Sequence, residues 1–142
     1  MGQLAEAGYE ITNNAEEADT VVVNTCGFIE SAKQESVDAI LEATRWKSGG
    51  AASRVIVAGC LVERYRDDLM KELPEVDAFI GTSQVGDILK AADVEFDAKQ
   101  LTISPIGNKS ATYLYDEYTP RLRATDSYTA FIKIAEGCDR PC

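Results

Sequence analysis

With 142 residues, 45% of them apolar and 27% charged, the chain is long enough for one domain with a real core and has the composition of an ordinary globular protein. A net charge of -10 opposes contact with a phosphate backbone, and the basic residues, among them Lys33, Arg45, Lys47, Arg64 and Arg66, form no stripe, so no nucleic acid is expected at this region. No apolar run approaches the ~18 residues of a membrane helix, and Met1-Gly2-Gln3-Leu4-Ala5-Glu6 has neither the basic start nor the apolar stretch of a signal peptide, so a cytoplasmic chain without membrane contact is expected.

Leu4, Ala7, Gly8 and Tyr9 read as the end of a helix whose preceding strand is missing, with Tyr9 to Thr12 as a short strand after it. Thr20-Val21-Val22-Val23-Asn24 is a β-branched run suited to a strand buried on both faces. From Ile29 to Ser48 the pattern is helical: Ala32, Ser36, Val37, Ile40, Leu41 and Thr44 share one face, and Gly49-Gly50 ends it. Arg54 to Ala58 is a second strand. It leads into a helix over 62–73 with Leu61, Tyr65, Leu69 and Leu73 at spacing four and Pro74 beyond its end. Ala78-Phe79-Ile80 is a third strand, and Val85, Ile88, Leu89 and Ala92 line a helix over 84–92. This alternation predicts an α/β fold, a parallel sheet with flanking helices. Residues 96–128 read as a linker, with β-prone residues from Leu101 to Ile103, and Ala130 to Ala135 as one more strand.

Histidine is absent, which removes Ser-His-Asp and Cys-His nucleophiles and His-based zinc sites. A metal would have to be held by cysteine or carboxylate. The cysteines are Cys26, Cys60, Cys138 and Cys142, and in a cytoplasmic protein burial, catalysis or metal ligation is the expectation rather than a disulfide. Three strand-to-helix loops, Asn24-Thr25-Cys26-Gly27, Gly59-Cys60-Leu61 and Gly81-Thr82-Ser83, fall at the carboxyl edge of a parallel sheet, where open α/β folds bind ligands. In two of them a cysteine stands beside a glycine that lets backbone approach a bulky group. Helix amino-termini favour thiolate, the ligating form, and thiolates with backbone N–H groups are what an iron–sulfur cluster needs. Neighbouring strands lie ~5 Å apart, so adjacent strand ends would bring Cys26 and Cys60 together. Taken singly, each cysteine also suits a structural role, because free cysteine is among the most buried residue types. Cys138-Asp139-Arg140-Pro141-Cys142 is a C-x3-C that by itself fits half a zinc site or a chance pair.

Three segments together carry a resemblance: Val23-Asn24-Thr25-Cys26, Ala58-Gly59-Cys60-Leu61, and Ile132 to Cys142. In identity, order and separation they resemble the methylthiotransferases of the radical S-adenosylmethionine superfamily. The resemblance implies a flavodoxin- or Rossmann-like amino-terminal cluster-binding domain over 1–95, a linker over 96–128, and over 129–142 the start of a radical domain, the first strand of a partial TIM barrel. It implies two 4Fe–4S clusters and S-adenosylmethionine. Cys26 and Cys60 match the second and third ligands of one cluster, and Cys138 and Cys142 the first two ligands of the other. The remaining ligand of each would lie outside the chain, which would then be cut at both ends and inactive alone. No residue here is assigned a catalytic role. The run from Cys26 to Ser36, with Gly59-Cys60-Leu61-Val62-Glu63-Arg64-Tyr65, is most similar to the branch that methylthiolates the β-carbon of an aspartate in a small-subunit ribosomal protein. The implied partners are that ribosomal protein and a low-potential electron donor such as a flavodoxin or ferredoxin. The transfer-RNA adenosine branch is the alternative substrate class. A non-catalytic flavodoxin-like binding domain with structural cysteines is the alternative of another kind.

Overall fold

A computed structural model describes residues 1–93, 116–123 and 125–132. A five-residue helix α1 (Gly2–Glu6) opens the chain, and a 3-10 turn (Ala15–Glu17), capped by the Asn14 side chain, leads into β1 (Thr20–Thr25). Then follow α2 (Glu30–Ser48), β2 (Arg54–Gly59), α3 (Cys60–Glu72), β3 (Ala78–Ile80), a 3-10 segment (Thr82–Asp87) and α4 (Ile88–Ala92). The three strands form one parallel sheet in the order β1-β2-β3. The expected α/β architecture is therefore present, with β2 central.

Side chains alternate across β2, and each face of the sheet has its own apolar layer. Val55 and Val57 pack with Ile40 and Ala43 of α2, Leu61, Val62 and Leu69 of α3, and Phe79. Ile56 packs on the opposite face with Leu4 of α1, Ala78, Ile80, and Ile88, Ala91 and Ala92 of α4. The reading of β1 as buried on both faces is corrected by this arrangement. Val21 and Val23 meet the first layer, but Val22 is 41% exposed, because the second layer packs on β2 and β3 and not on β1. At the amino-terminal end of the sheet Asp77 joins β2 to β3. Its carboxylate accepts from the Val55 N–H (2.8 Å) and from the Lys47 ammonium (2.6 Å), and the Asp77 N–H donates to the Val55 carbonyl (3.0 Å).

Four expectations need revision. Tyr9 to Thr12 forms no strand: the Tyr9 N–H turns back to the Leu4 carbonyl, and Ile11 packs beneath the sheet. The third expected helix divides, with 3-10 structure over Thr82–Asp87 and α-helix only over Ile88–Ala92. Gly86 and β-branched Val85 are poor helix formers, and Gln84 departs from helical geometry (φ -114°, ψ 17°). On α2 the buried stripe includes Ala43 and leaves Leu41 39% exposed. Residues 129–132 carry no strand pairing, and Phe131 and Ile132 are exposed. A strand needs a neighbour for its N–H and C=O groups, and among the described residues none lies beside this one. Residues 133–135, and the β-prone run at 101–103, lie outside the described residues.

Ile56 is fully buried on the central strand. Ile56→Ala is expected to lower stability by about 2–5 kcal/mol, read as a lower urea midpoint at unchanged slope.

Candidate functional site

Parallel pairing places Thr20 to Thr25 of β1 opposite Arg54 to Gly59 of β2, residue for residue. Each candidate cysteine is the residue after the last of these pairs, Cys26 after Thr25 and Cys60 after Gly59. Both therefore leave the sheet side by side at its carboxyl edge, and both are exposed free thiols. The structure brings together two of the four cysteines that the sequence singled out, and the expectation of a single edge holds for this pair. Cys138 and Cys142 lie outside the described residues.

Backbone contact fixes the spacing. Gly59 has φ +111°, and a Cβ there would stand 2.4 Å from the Thr25 carbonyl oxygen, so β2 approaches the end of β1 only because a glycine stands at this point. Immediately beyond, a Cβ on Gly27 would lie 2.9 Å from the Cys60 carbonyl oxygen and 3.0 Å from the Leu61 nitrogen. The turn after β1 thus rests on the first turn of α3. Cys60 is the first residue of α3, directly after Gly59 at its N-cap, where N–H groups without intrahelical partners cluster.

Three side chains hold the turn that carries Cys26. Thr25 donates from Oγ1 to the Ala58 carbonyl (2.7 Å), tying the two strand ends. The Cys26 N–H donates to Ser36 Oγ (3.0 Å), and that hydroxyl donates to the Ala32 carbonyl (2.7 Å). Arg64 donates from Nη1 to the Gly27 carbonyl (2.8 Å). Tyr65, the next residue, is non-helical (φ -128°, ψ 25°) and kinks α3. The Lys33 ammonium sits 5.6 Å from the Tyr65 ring centroid, joining the start of α2 to α3. Its hydrogen bond to the Glu30 carboxylate raises it above the usual lysine range. Phe28 and Ile29, 82% and 53% exposed, put apolar surface beside the thiols.

The sequence reading missed these supports. Ser36 lies on the buried face of α2, as its spacing predicts, but its hydroxyl also accepts from the Cys26 N–H, and the Thr25 hydroxyl ties the two strand ends. A serine within an apolar helical stripe was the available signal, since a buried hydroxyl needs a partner. The Arg64 contact, 37 residues from Gly27, left none. The third loop reaches the same edge, where Thr82 Oγ1 is 3.5 Å from Glu63 Oε2. Among the described residues no group of three or more His, Cys, Asp or Glu side chains could hold a metal ion, so the donor set there is the cysteine pair.

A parallel α/β sheet with paired thiols at its carboxyl edge defines a class of domain, and the comparison with known families is specific within it. Residues 1–81 match the family described as Uncharacterized protein family UPF0004, and the chain belongs to that family, which corresponds to the methylthiotransferase amino-terminal domain. It is 49% identical over 142 residues to the ribosomal protein uS12 methylthiotransferase RimO of Solibacter usitatus (strain Ellin6076), a match covering all of this chain and 29% of that protein. The protein of the same name from Koribacter versatilis (strain Ellin345) is 44% identical over 180 residues, covering all of this chain and 36% of the relative. That from Desulforamulus reducens (strain ATCC BAA-1160 / DSM 100696 / MI-1) is 44% identical over 142 residues, covering 31% of the relative. The chain spans roughly a third of the length of these curated relatives. The resemblance read from the cysteine-bearing segments is borne out.

Gly59→Ala would force a β-carbon into the Thr25 carbonyl at a φ that L-residues avoid. A loss of at least about 2 kcal/mol is expected from strain and overpacking together. Chemical denaturation checks it, with Gly8→Ala, which also has positive φ but open space around it, as the control that isolates the clash.

Proposed function

We propose that this chain is the cluster-binding part of an enzyme that methylthiolates the β-carbon of an aspartate in ribosomal protein uS12. One observation carries the reading: Cys26 and Cys60 follow register-paired residues on adjacent parallel strands, and both are exposed at the ligand-binding edge. The names and identity of the relatives support the substrate, and the charge of -10 suits a basic protein partner.

The donor set fits part of a thiolate-held 4Fe–4S cluster. Cys26 and Cys60 are exposed and follow register-paired residues, glycines at positions 27 and 59 let backbone approach closely, and the first N–H groups of α3 lie beside Cys60. Cys26 and Cys60 would hold this cluster, and Cys138 and Cys142 a second one in a radical domain beginning near residue 129. When bound, these clusters supply one-electron reduction of S-adenosylmethionine and the sulfur to be transferred. What the chain itself does is hold and shield. Ser36, Thr25 and Arg64 fix the Cys26 turn, so the thiols meet a ligand with little reordering. Phe28 and Ile29 present apolar surface that excludes water once covered. The reacting C–H bond has no acidic proton, which agrees with a site edge built from thiols and backbone and without histidine. A flavodoxin or ferredoxin would supply electrons, in the cytoplasm; no helix among the described residues is long and apolar enough to cross a membrane.

The test gives the anaerobic full-length gene product a low-potential reductant, sulfide and S-adenosylmethionine, with uS12 and isopentenyl-modified transfer RNA offered in parallel. Mass spectrometry is expected to find the methylthio group on a uS12 aspartate, and loss of that product in Cys26→Ala and Cys60→Ala. A modified adenosine with untouched aspartate would move the enzyme to the transfer-RNA branch. Iron-free, inactive protein would return the cysteines to a structural role.

A further inference from the structure

Arg64 is exposed, yet its guanidinium is tied to the backbone of another element. Its guanidinium reaches from the fifth residue of α3 to the Gly27 carbonyl, 2.8 Å away, and so bridges the two elements that carry Cys60 and Cys26. The helix kinks directly after it, at Tyr65, which separates the geometry of residues 60–64 from the rest of α3. The partner is a neutral carbonyl. Lys33, Lys47 and Lys90 meet the carboxylates of Glu30, Asp77 and Asp87, whereas Arg64, like Arg121 and Arg123, meets a backbone carbonyl. Among the described residues Arg64 has no such counter-ion, in a chain of net charge -10. The exposed guanidinium of Arg64 thus carries its charge at the turn that bears Cys26.

We propose that Arg64 is a positioning residue for the cysteine pair, fixing the Cys26 turn against the start of α3 and setting a positive charge beside the group the two thiols hold. The inference rests on the cluster-binding reading above and deepens it. Thiolates and the cluster they bind are anionic, and reduction adds a further negative charge. A nearby guanidinium stabilises the reduced state more than the oxidised one, which raises the potential. Its hydrogen bond also limits how far the Cys26 turn can move away from Cys60. A lysine keeps the charge but is a flexible point donor in place of a planar fork.

Three variants of the full-length gene product separate these effects: Arg64 unchanged, Arg64→Lys and Arg64→Gln, each with Cys138→Ala and Cys142→Ala so that only the amino-terminal cluster is read. The midpoint potential is measured by anaerobic redox titration, and iron retention by the rate of loss to a chelator. In the iron-free proteins, the rate at which dibromobimane links Cys26 to Cys60 reports thiol proximity without any cluster, and a thermal melt verifies folding. For Arg64→Gln the expected results are a more negative potential, about tenfold faster iron loss, and several-fold slower cross-linking at an unchanged melt. Arg64→Lys is expected to keep the potential and to fall between the others in cross-linking. An Arg64→Gln protein with the potential and cross-linking rate of the parent overturns the proposal. Should the parent take up no iron, the cluster reading fails, while the cross-linking rates still decide positioning: slowed linking in Arg64→Gln supports it and equal rates overturn it.

Discussion

The contact of the Gly59 backbone with the Thr25 carbonyl is the constraint on which the rest of this edge depends. Parallel strands hold each other through evenly spaced hydrogen bonds. A glycine at φ +111° lets β2 press against β1 at the last register pair, and the chain then turns straight into α3. The turn from β1 rests on the same place through Gly27. Two glycines at positions 27 and 59 thus convert the regular spacing of a sheet into a fixed spacing between two cysteines.

Keeping thiols exposed and ordered at once is a demand that most of the molecule does not face. Elsewhere order comes from burial: Ile40, Val55, Val57 and Val62 are fully enclosed on one face and Ile56 on the other. Cys26 has no such enclosure, and its turn is held by hydrogen bonds to backbone instead. Thr25, Ser36 and Arg64 supply these from three different elements, β1, α2 and α3. The apolar core acts on the site indirectly, by fixing α2 and α3 against β2 and so fixing where Ser36 and Arg64 stand. That division of labour suits residues that must face outward while their supports stay put.

Much of this was legible in the sequence, and the reasons differ by element. The β-branched runs at 20–24 and 54–58 and the long amphipathic pattern after Ile29 are signals of local period, and the structure follows them to within a residue or two. Cysteines beside glycines after two predicted strands marked the sheet edge at which the structure exposes Cys26 and Cys60. What escaped was set by tertiary contact or by local cost. The exposure of Val22 depends on which strands α1 and α4 cover, and that is not written in β1. The broken helix after Gly81 reflects the poor helix propensity of Val85 and Gly86, which was present in the sequence and outweighed there by the apolar spacing. The contact of Arg64 with Gly27 spans two elements and has no local trace.

The proposed function depends on Cys26 and Cys60 ligating one iron–sulfur cluster. Electron paramagnetic resonance with iron quantitation tests it most directly, on dithionite-reduced, anaerobically reconstituted full-length gene product in which Cys138→Ala and Cys142→Ala have removed the second site. A reduced 4Fe–4S signal with close to four irons per chain is expected, abolished when either Cys26→Ala or Cys60→Ala is added. A signal of unchanged intensity in those two variants would contradict the account.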